Sequence, residues 1–235
     1  KLAEQLKNVK PFYTLKFLFL PERIGSIAYL SQNYKEIKNI IAGVFCEMPG
    51  TKNYPMVLQH SKDKQSKIDR IAKYVLERND PKAQFASCFL QVKNDDAFFN
   101  SPGIDIPCIS LSRSEPLKHG KLLHFPFYHT SGDTVENFDF GQAEEFLQLL
   151  KEIIFIFDED REIKRKYIGV PCLSRHNLWV DWKKDFKNFE KIDNILYNLD
   201  NGVSVFDVAE AKNIDFYFVL DFLKKMQKEE LVELK

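Results

Sequence analysis

Three loop segments of this 235-residue sequence carry residue types that could catalyse hydrolysis. Glu22 and Glu47 each directly follow an apolar run, and His129 lies in the polar phrase Tyr-His-Thr-Ser-Gly-Asp. Zinc takes imidazole nitrogen and carboxylate oxygen as ligands, and a further glutamate can shuttle the proton of zinc-bound water. If the fold brings the three segments together, they predict a hydrolytic metal site.

Each of these residues also has an ordinary structural interpretation. A lone glutamate at the end of a strand is more often a helix cap or a surface charge. A lone histidine in a polar loop is about as often a capping donor as a metal ligand. The prediction therefore depends on the arrangement of the three segments and not on any one residue.

The elements that must position these residues alternate between strands and helices. Apolar runs predict strands at 13–20, 42–46, 84–92 and 106–111. Helical spacing of apolar residues predicts helices at 34–41, 68–76 and 141–157. Alternation of this kind is typical of an α/β fold with three layers, in which sites lie at the carboxyl ends of strands. Glu22 and Glu47 occupy such positions.

The pattern changes after about residue 185 to short helices and a final apolar segment. Helices are predicted at 189–199, after Ser204 and after Asp215, and a strand at 231–234. Three short helices and a strand predict a winged-helix tail over 186–235, behind an α/β domain over 1–185. Residues 190–235 include ten acidic and six basic side chains. DNA binding needs an excess of cations, so we expect the tail to pack against the core.

Composition narrows the possible partners and the compartment. The 34 basic residues are balanced by 34 acidic ones, which argues against nucleic acid or an anionic membrane surface as a partner. The apolar runs are far shorter than the ~20 residues that span a bilayer, and no signal peptide opens the chain. The four cysteines form no Cys-x-x-Cys pair and predict neither a zinc knuckle nor disulfides. We therefore expect a cytoplasmic protein.

The first residues of the chain suggest a longer protein. Lys1 lies inside an amphipathic pattern formed by Leu2, Leu6 and Val9, and no methionine precedes it. We therefore expect the chain to be the C-terminal portion of a protein that extends upstream by roughly one to two hundred residues, a typical domain length.

Four phrases of the sequence, in their order, resemble the co-catalytic zinc aminopeptidase superfamily. They are FLFLPERIGSIAYL, EMPG, NDDAFFNSPGIDIPCISL and FYHTSGDTVENFDF. The sequence is more specifically similar to a branch of bacterial aminopeptidase-like proteins that end in a winged-helix tail. The signatures of that branch read Pro-Glu-Thr-Ile-Gly-Ser, Ser-Asp-Glu-Arg-Gln-(Phe/Tyr)-Cys-Ser-Pro-Gly and Tyr-His-Thr-Ser-x-Asp. The resemblance runs from about residue 11 to the C-terminus.

The resemblance implies a role for each matching residue. Glu22 would be the general base, Glu47 and His129 would be zinc ligands, Asp95 would lie near the metal, Arg113 would face the substrate, and Tyr128 would hydrogen-bond a tetrahedral intermediate. The implied activity is zinc-dependent hydrolysis of an aminoacyl or acylated-amine bond. A small peptide or aminoacyl compound would be the substrate, and a homo-oligomer is possible.

The sequence also departs from the family pattern. Arg23 stands where the broad superfamily has a ligand glutamate, and Ala97, Phe98 and Asn100 replace residues of the branch signature. An upstream histidine and a metal-bridging aspartate have no match, because only ten residues precede Pro11. Two readings therefore stay open: upstream residues complete the site of an active hydrolase, or the chain is a catalytically inactive scaffold or binding module.

Overall fold

In a computed structural model of the chain, which describes residues 1–90, 93–115 and 124–235, four short segments pair into one mixed sheet. They are β1 (Gly43–Cys46), β2 (Met56–Gln59), β3 (Gln84–Ala86) and β4 (Cys108–Arg113). The strand order is β1-β4-β2-β3, with β4 parallel to β1 and antiparallel to β2. The carboxyl ends of β1 and β4 therefore lie at the same edge of the sheet.

Five helices accompany this sheet in the described part of the first 159 residues. They are α1 (Leu2–Leu6), α2 (Ile24–Gln32), α3 (Lys67–Asn79), α4 (Asp95–Phe99) and α5 (Phe140–Glu159). Helix α3 packs on β2 and β4, and α4 packs on β1 and β4. Apolar residues at helical spacing bury one side of α3, among them Ile68, Ile71 and Val75. Together with the fully buried strand β4 they form the core that supports the loops at the sheet edge.

The strand predicted at 13–20 does not form, which corrects the strongest strand expectation. Residues 14–20 have no regular secondary structure, and the side chain of Phe19 is 87% exposed. A strand needs a neighbour for its backbone hydrogen bonds, and no described strand pairs with this segment. A continuous apolar run matches a buried strand but does not by itself provide that neighbour.

Two further expectations in this region differ from the structure. The helix predicted at 34–41 is only a 3₁₀ turn at Ile37–Asn39, and α2 forms just before it. Strand β2 was not predicted, because its four apolar and polar residues follow Pro55 without a clear period. The strand predicted at 84–92 forms only as the three residues of β3, because residues 87–90 are not strand, and Gln91 and Val92 lie outside the described residues. The remaining predicted elements formed with shifted ends.

The chain divides into two compact units, Lys1–Asp158 and Glu159–Lys235. The second unit contains β5 (Ile163–Arg165), α6 (Phe186–Leu196), α7 (Val205–Lys212), α8 (Phe216–Lys228) and β6 (Val232–Leu234). Strand β5 pairs with β6 in an antiparallel ladder. The division between the two units falls after Asp158, whereas the sequence predicts a boundary at residue 185.

Helix starts in the second unit follow the capping residues seen in the sequence. Ser204 and Asp207 form a reciprocal capping box at the start of α7, and Asp215 caps α8 through the N–H of Phe218. The helices bury Phe206 and Phe216 in a core of their own. Among the described helices of the whole chain, none is both long and apolar enough to cross a membrane.

Candidate functional site

Glu22 lies on a tight turn that leads into α2. The N–H of Ile24 donates to the carbonyl of Glu22 at 2.6 Å, and Arg23 between them has φ 60° and ψ −56°. These values describe a classic γ-turn, which is rare and strained for a residue with a side chain. The turn leaves Glu22 exposed at the surface of the first unit.

Glu47 follows β1 at the sheet edge and is only partly exposed. Its N–H donates to the carbonyl of Leu111 at 3.1 Å, and its Oε2 accepts from Asn94 Nδ2 at 3.4 Å. The pKa of Glu47 is raised to about 7, chiefly by burial. The hydrogen bond from Asn94 opposes this rise, and the nearby carboxylates of Asp96, Glu22 and Asp95 contribute to it. Near neutral pH, Glu47 therefore holds a proton more readily than an ordinary glutamate does.

Tyr128 links the loop of the predicted histidine to these carboxylates. Partial burial raises the pKa of Tyr128, and the charges of Glu47 and Glu22 add to that rise. The ring of His129 stacks on Tyr128 with 3.9 Å between centroids and an interplanar angle of 16°. The structure thus brings Glu22, Glu47 and Tyr128 into one electrostatic neighbourhood, with His129 attached to it through Tyr128.

His124 is a member of this site that sequence reasoning missed. Its ring lies 4.4 Å from that of Tyr128, and burial together with the charge of His129 lowers its pKa. Its Nδ1 is buried without a hydrogen-bond partner among the described residues. A histidine four positions before Tyr128 in an apolar phrase carries no signal of its own, so only the folded loop identifies it.

Asp95 and Asp96 begin α4 and have different surroundings. Asp95 Oδ1 accepts from the N–H of Arg23 at 3.0 Å and from the hydroxyl of Ser26. Asp96 is buried and accepts from Gln59 Nε2 at 2.8 Å. Burial raises the pKa of Asp96 to about 6, although hydrogen bonds oppose the rise. The role of Asp95 near a metal, which the resemblance implies, stays a prediction, and Asp96 was not predicted.

The guanidinium of Arg113 forms hydrogen bonds with other residues of the chain. Its guanidinium donates to the carbonyls of Tyr54 and Gln142 at 3.1 and 3.3 Å and to Glu145 Oε2 at 2.9 Å, and its side chain is 7% exposed. It lines an open cavity of about 1410 Å³ whose walls include neither Glu22 nor Glu47. Substrate contact by Arg113 stays a prediction.

The residues described here do not by themselves fit a catalytic zinc ion. Within residues 1–90, 93–115 and 124–235, no three His, Cys, Asp or Glu side chains are grouped so that they could hold a metal. A catalytic zinc normally has three protein ligands, all deprotonated. Asp95 Oδ1 already accepts two hydrogen bonds, from the N–H of Arg23 and from the hydroxyl of Ser26.

The raised pKa of Glu47 predicts a pH-dependent effect on stability. Its folded pKa of about 7 exceeds its ordinary value of 4.5, so the folded state binds the extra proton and loses stability as the pH rises between these values. We expect Glu47→Gln to become more stable relative to the wild type by ~2 kcal/mol between pH 4.5 and pH 8. Urea unfolding at both pH values measures this difference, and a constant difference would contradict the raised pKa.

Comparisons with known proteins agree with an aminopeptidase-like fold. Over 246 residues the chain is 34% identical to a protein of Clostridium acetobutylicum. That protein is named as a candidate polysaccharide biosynthesis protein with an aminopeptidase-like domain. The alignment covers 99% of this chain and 52% of that protein. A crystal structure of a candidate peptidase from the same organism has a TM-score of 0.83 at 26% identity, covering 100% of this chain and 51% of the other.

A more distant structure shows the fold alone. A zinc aminopeptidase from Bacillus subtilis matches with a TM-score of 0.55 at 18% identity, covering 66% of this chain and 38% of that chain. The chain spans about half the length of the curated relative it matches. Residues 1–160 match the model of a domain family of unknown function, DUF4910. The chain therefore belongs to the DUF4910 family.

Proposed function

We propose that the neighbourhood of Glu22, Glu47 and Tyr128 is the active site of an aminopeptidase-type hydrolase. The proposal is carried by the proximity of two carboxylates and a phenol from three distant loops, which lie close enough for the charges of Glu22 and Glu47 to raise the pKa of Tyr128. Perturbed titratable groups that cluster in this way are typical of catalytic sites. The names of the two Clostridium acetobutylicum relatives support the same class of activity.

Each residue has a chemical task in this proposal. Glu22 accepts a proton from the water that attacks the carbonyl carbon of an aminoacyl amide. Glu47, with a pKa of about 7, can hold a proton at neutral pH and donate it to the leaving amine. The phenol of Tyr128, whose raised pKa keeps it protonated, donates a hydrogen bond to the oxyanion of the tetrahedral intermediate.

The proposal extends to the substrate, the second unit and the compartment. The substrate is a small peptide or aminoacyl compound, and the protein acts in the cytoplasm without a nucleic-acid partner. The three helices and the antiparallel strand pair of the second unit support the winged-helix interpretation. The acidic excess of residues 190–235 argues against DNA as its ligand.

The proposed mechanism does not use the zinc ion that the resemblance implies, because the metal-ligating side chains of the described residues do not form a zinc site. We expect the 235-residue chain to bind Zn²⁺ weakly, with a Kd above about 10 μM, since a stable site needs three ligands. Isothermal titration of the chain with Zn²⁺ checks this, with His176→Ala, at a partly exposed histidine of the second unit, as the control for adventitious imidazole binding. Stoichiometric binding below ~1 μM that Glu47→Gln or His129→Ala abolishes would contradict it.

A panel of fluorogenic substrates tests the hydrolase proposal. We expect the wild type to release the fluorophore from aminoacyl amides with a free α-amino group, and Glu22→Gln to release far less. If the wild type hydrolyses no aminoacyl or acylated-amine substrate, the proposal fails. The alternative function, a catalytically inactive scaffold or binding module, then replaces it.

A further inference from the structure

We infer that Asp95 is a positioning residue, which holds the strained turn at Arg23 and thereby presents Glu22 to the site. The inference deepens the proposed function, since Glu22 is its proton acceptor. It differs from the role that the resemblance implied, in which Asp95 lies near a metal. Asp95 would act on the reaction only through the backbone of the Glu22 turn.

The strained turn at Arg23 needs contacts from outside the turn to stabilise it. Arg23 combines a positive φ with a negative ψ, which lies outside the left-handed helical region that side chains tolerate. Such a conformation persists only where its surroundings fix it. The hydrogen bond from Ile24 N–H to the Glu22 carbonyl closes the turn but leaves the N–H of Arg23 itself pointing elsewhere.

One short segment, residues 93–98, contacts Arg23 at both its backbone and its side chain. Asp95 Oδ1 accepts the N–H of Arg23 at 3.0 Å, and the same oxygen accepts the hydroxyl of Ser26 in the first turn of α2. Arg23 Nη1 donates to the carbonyl of Lys93 at 2.8 Å, and the guanidinium lies 5.3 Å from the ring centroid of Phe98. Contacts from the start of α4 thus fix the start of α2.

The bond between Asp95 and Arg23 differs from an ordinary helix cap. Arg23 occupies the N-cap position of α2, and its own side chain makes no cap. A cap supplied from another element would serve α2 with Arg23 in ordinary extended backbone as well. Besides the hydroxyl of Ser26, Asp95 Oδ1 accepts the N–H of the strained Arg23, which is next to Glu22. The charge of Glu22 acts on both Glu47 and Tyr128. Releasing the bond would therefore move Glu22 within the site.

Nuclear magnetic resonance of the chain tests, without any substrate, whether Asp95 stabilises the turn at Arg23. A positive φ gives Arg23 a strong intraresidue HN–Hα Overhauser signal, and the bond to Asp95 protects its amide from hydrogen exchange. We expect Asp95→Ala to lose the strong signal and to speed exchange of this amide at least ~10-fold. Asp95→Asn keeps an acceptor oxygen and should keep both properties, as should the exposed-site control Asp63→Ala.

The outcomes separate the inference from the proposed function. If Asp95→Ala leaves the Arg23 signal and exchange unchanged, the inference is overturned. If Asp95→Ala does not fold, hydrogen exchange of the Arg23 amide in the wild type tests the inference. An Arg23 amide without exchange protection there would also overturn it. In the hydrolysis assay we expect Asp95→Ala to lower kcat at least ~10-fold with KM nearly unchanged, and Asp95→Asn to recover most of it. Absence of wild-type hydrolysis counts against the proposed function alone.

Discussion

Glu22→Gln is expected to lower kcat for aminoacyl-amide hydrolysis by about 10²- to 10⁴-fold, with KM nearly unchanged. Glutamine keeps the size and shape of the side chain and removes only its ability to accept a proton. An interaction made only in the transition state lowers kcat and kcat/KM together, whereas a binding contact would raise KM. Steady-state kinetics of the wild type and the variant measure the two parameters.

The matched control for this substitution is Glu36→Gln, at another exposed glutamate of the first unit. We expect this control to leave kcat within about twofold of the wild type. A Glu22→Gln variant with undiminished kcat would remove Glu22 from the mechanism. The hydrolase proposal would then lose its proton acceptor, and the scaffold alternative would be preferred.

Asp69→Ala is expected to lower the free energy of unfolding by about 3–5 kcal/mol. Asp69 is fully buried in α3, where it accepts from the N–H of Ser61 at 2.8 Å and from His60 Nδ1 at 3.0 Å. The hydroxyls of Ser61 and Ser66 also donate to it. Alanine would leave these buried donors without an acceptor and would release the end of β2 from the start of α3.

The pH dependence of stability gives a second readout for Asp69. Burial acts to raise its pKa, but the hydrogen bonds from His60, Ser61 and Ser66 outweigh burial and hold the pKa below its usual 3.8. A depressed carboxyl pKa stabilises the fold above the unfolded pKa, and that stability is lost as the pH falls through the folded value. The difference between wild type and Asp69→Ala should therefore shrink below about pH 4.

Urea unfolding at pH 7 and pH 3 checks both statements, with the exposed Asp63→Ala as control. We expect the control to change the free energy of unfolding by no more than ~0.5 kcal/mol. If Asp69→Ala costs less than about 1 kcal/mol at pH 7, the buried hydrogen-bond network does not stabilise the junction of β2 and α3 as described.

The sequence predicted best those elements whose local signals agree with their packing. Helix α3 has both an apolar period and a capping serine, and α7 and α8 begin at the expected Ser204 and Asp215. The apolar run at 13–20 failed because strand formation depends on a neighbour that periodicity does not specify. Strand β2 was missed for the converse reason, since its position between β4 and β3 makes it a strand despite a weak pattern.

The site was predictable to the extent that it follows from topology. Glu47 lies at the carboxyl end of β1, where open α/β sheets place their functional loops. The sequence could not reveal that Glu22 sits on a strained γ-turn, because the turn depends on Asp95, 72 positions away. It also could not reveal His124 or the buried Asp96, which become part of the site only through tertiary contacts.

The central claim is that Glu22, Glu47 and Tyr128 form one coupled site, and the pKa of Glu47 tests it most directly. Carbon-13 resonance of the Glu47 carboxyl group, followed through a pH titration, gives this pKa in the wild type and in Glu22→Gln. We predict a value of about 7 in the wild type and a lower value in the variant, because the charge of Glu22 contributes to the rise. A wild-type pKa near 4.5 that Glu22→Gln leaves unchanged would contradict the claim.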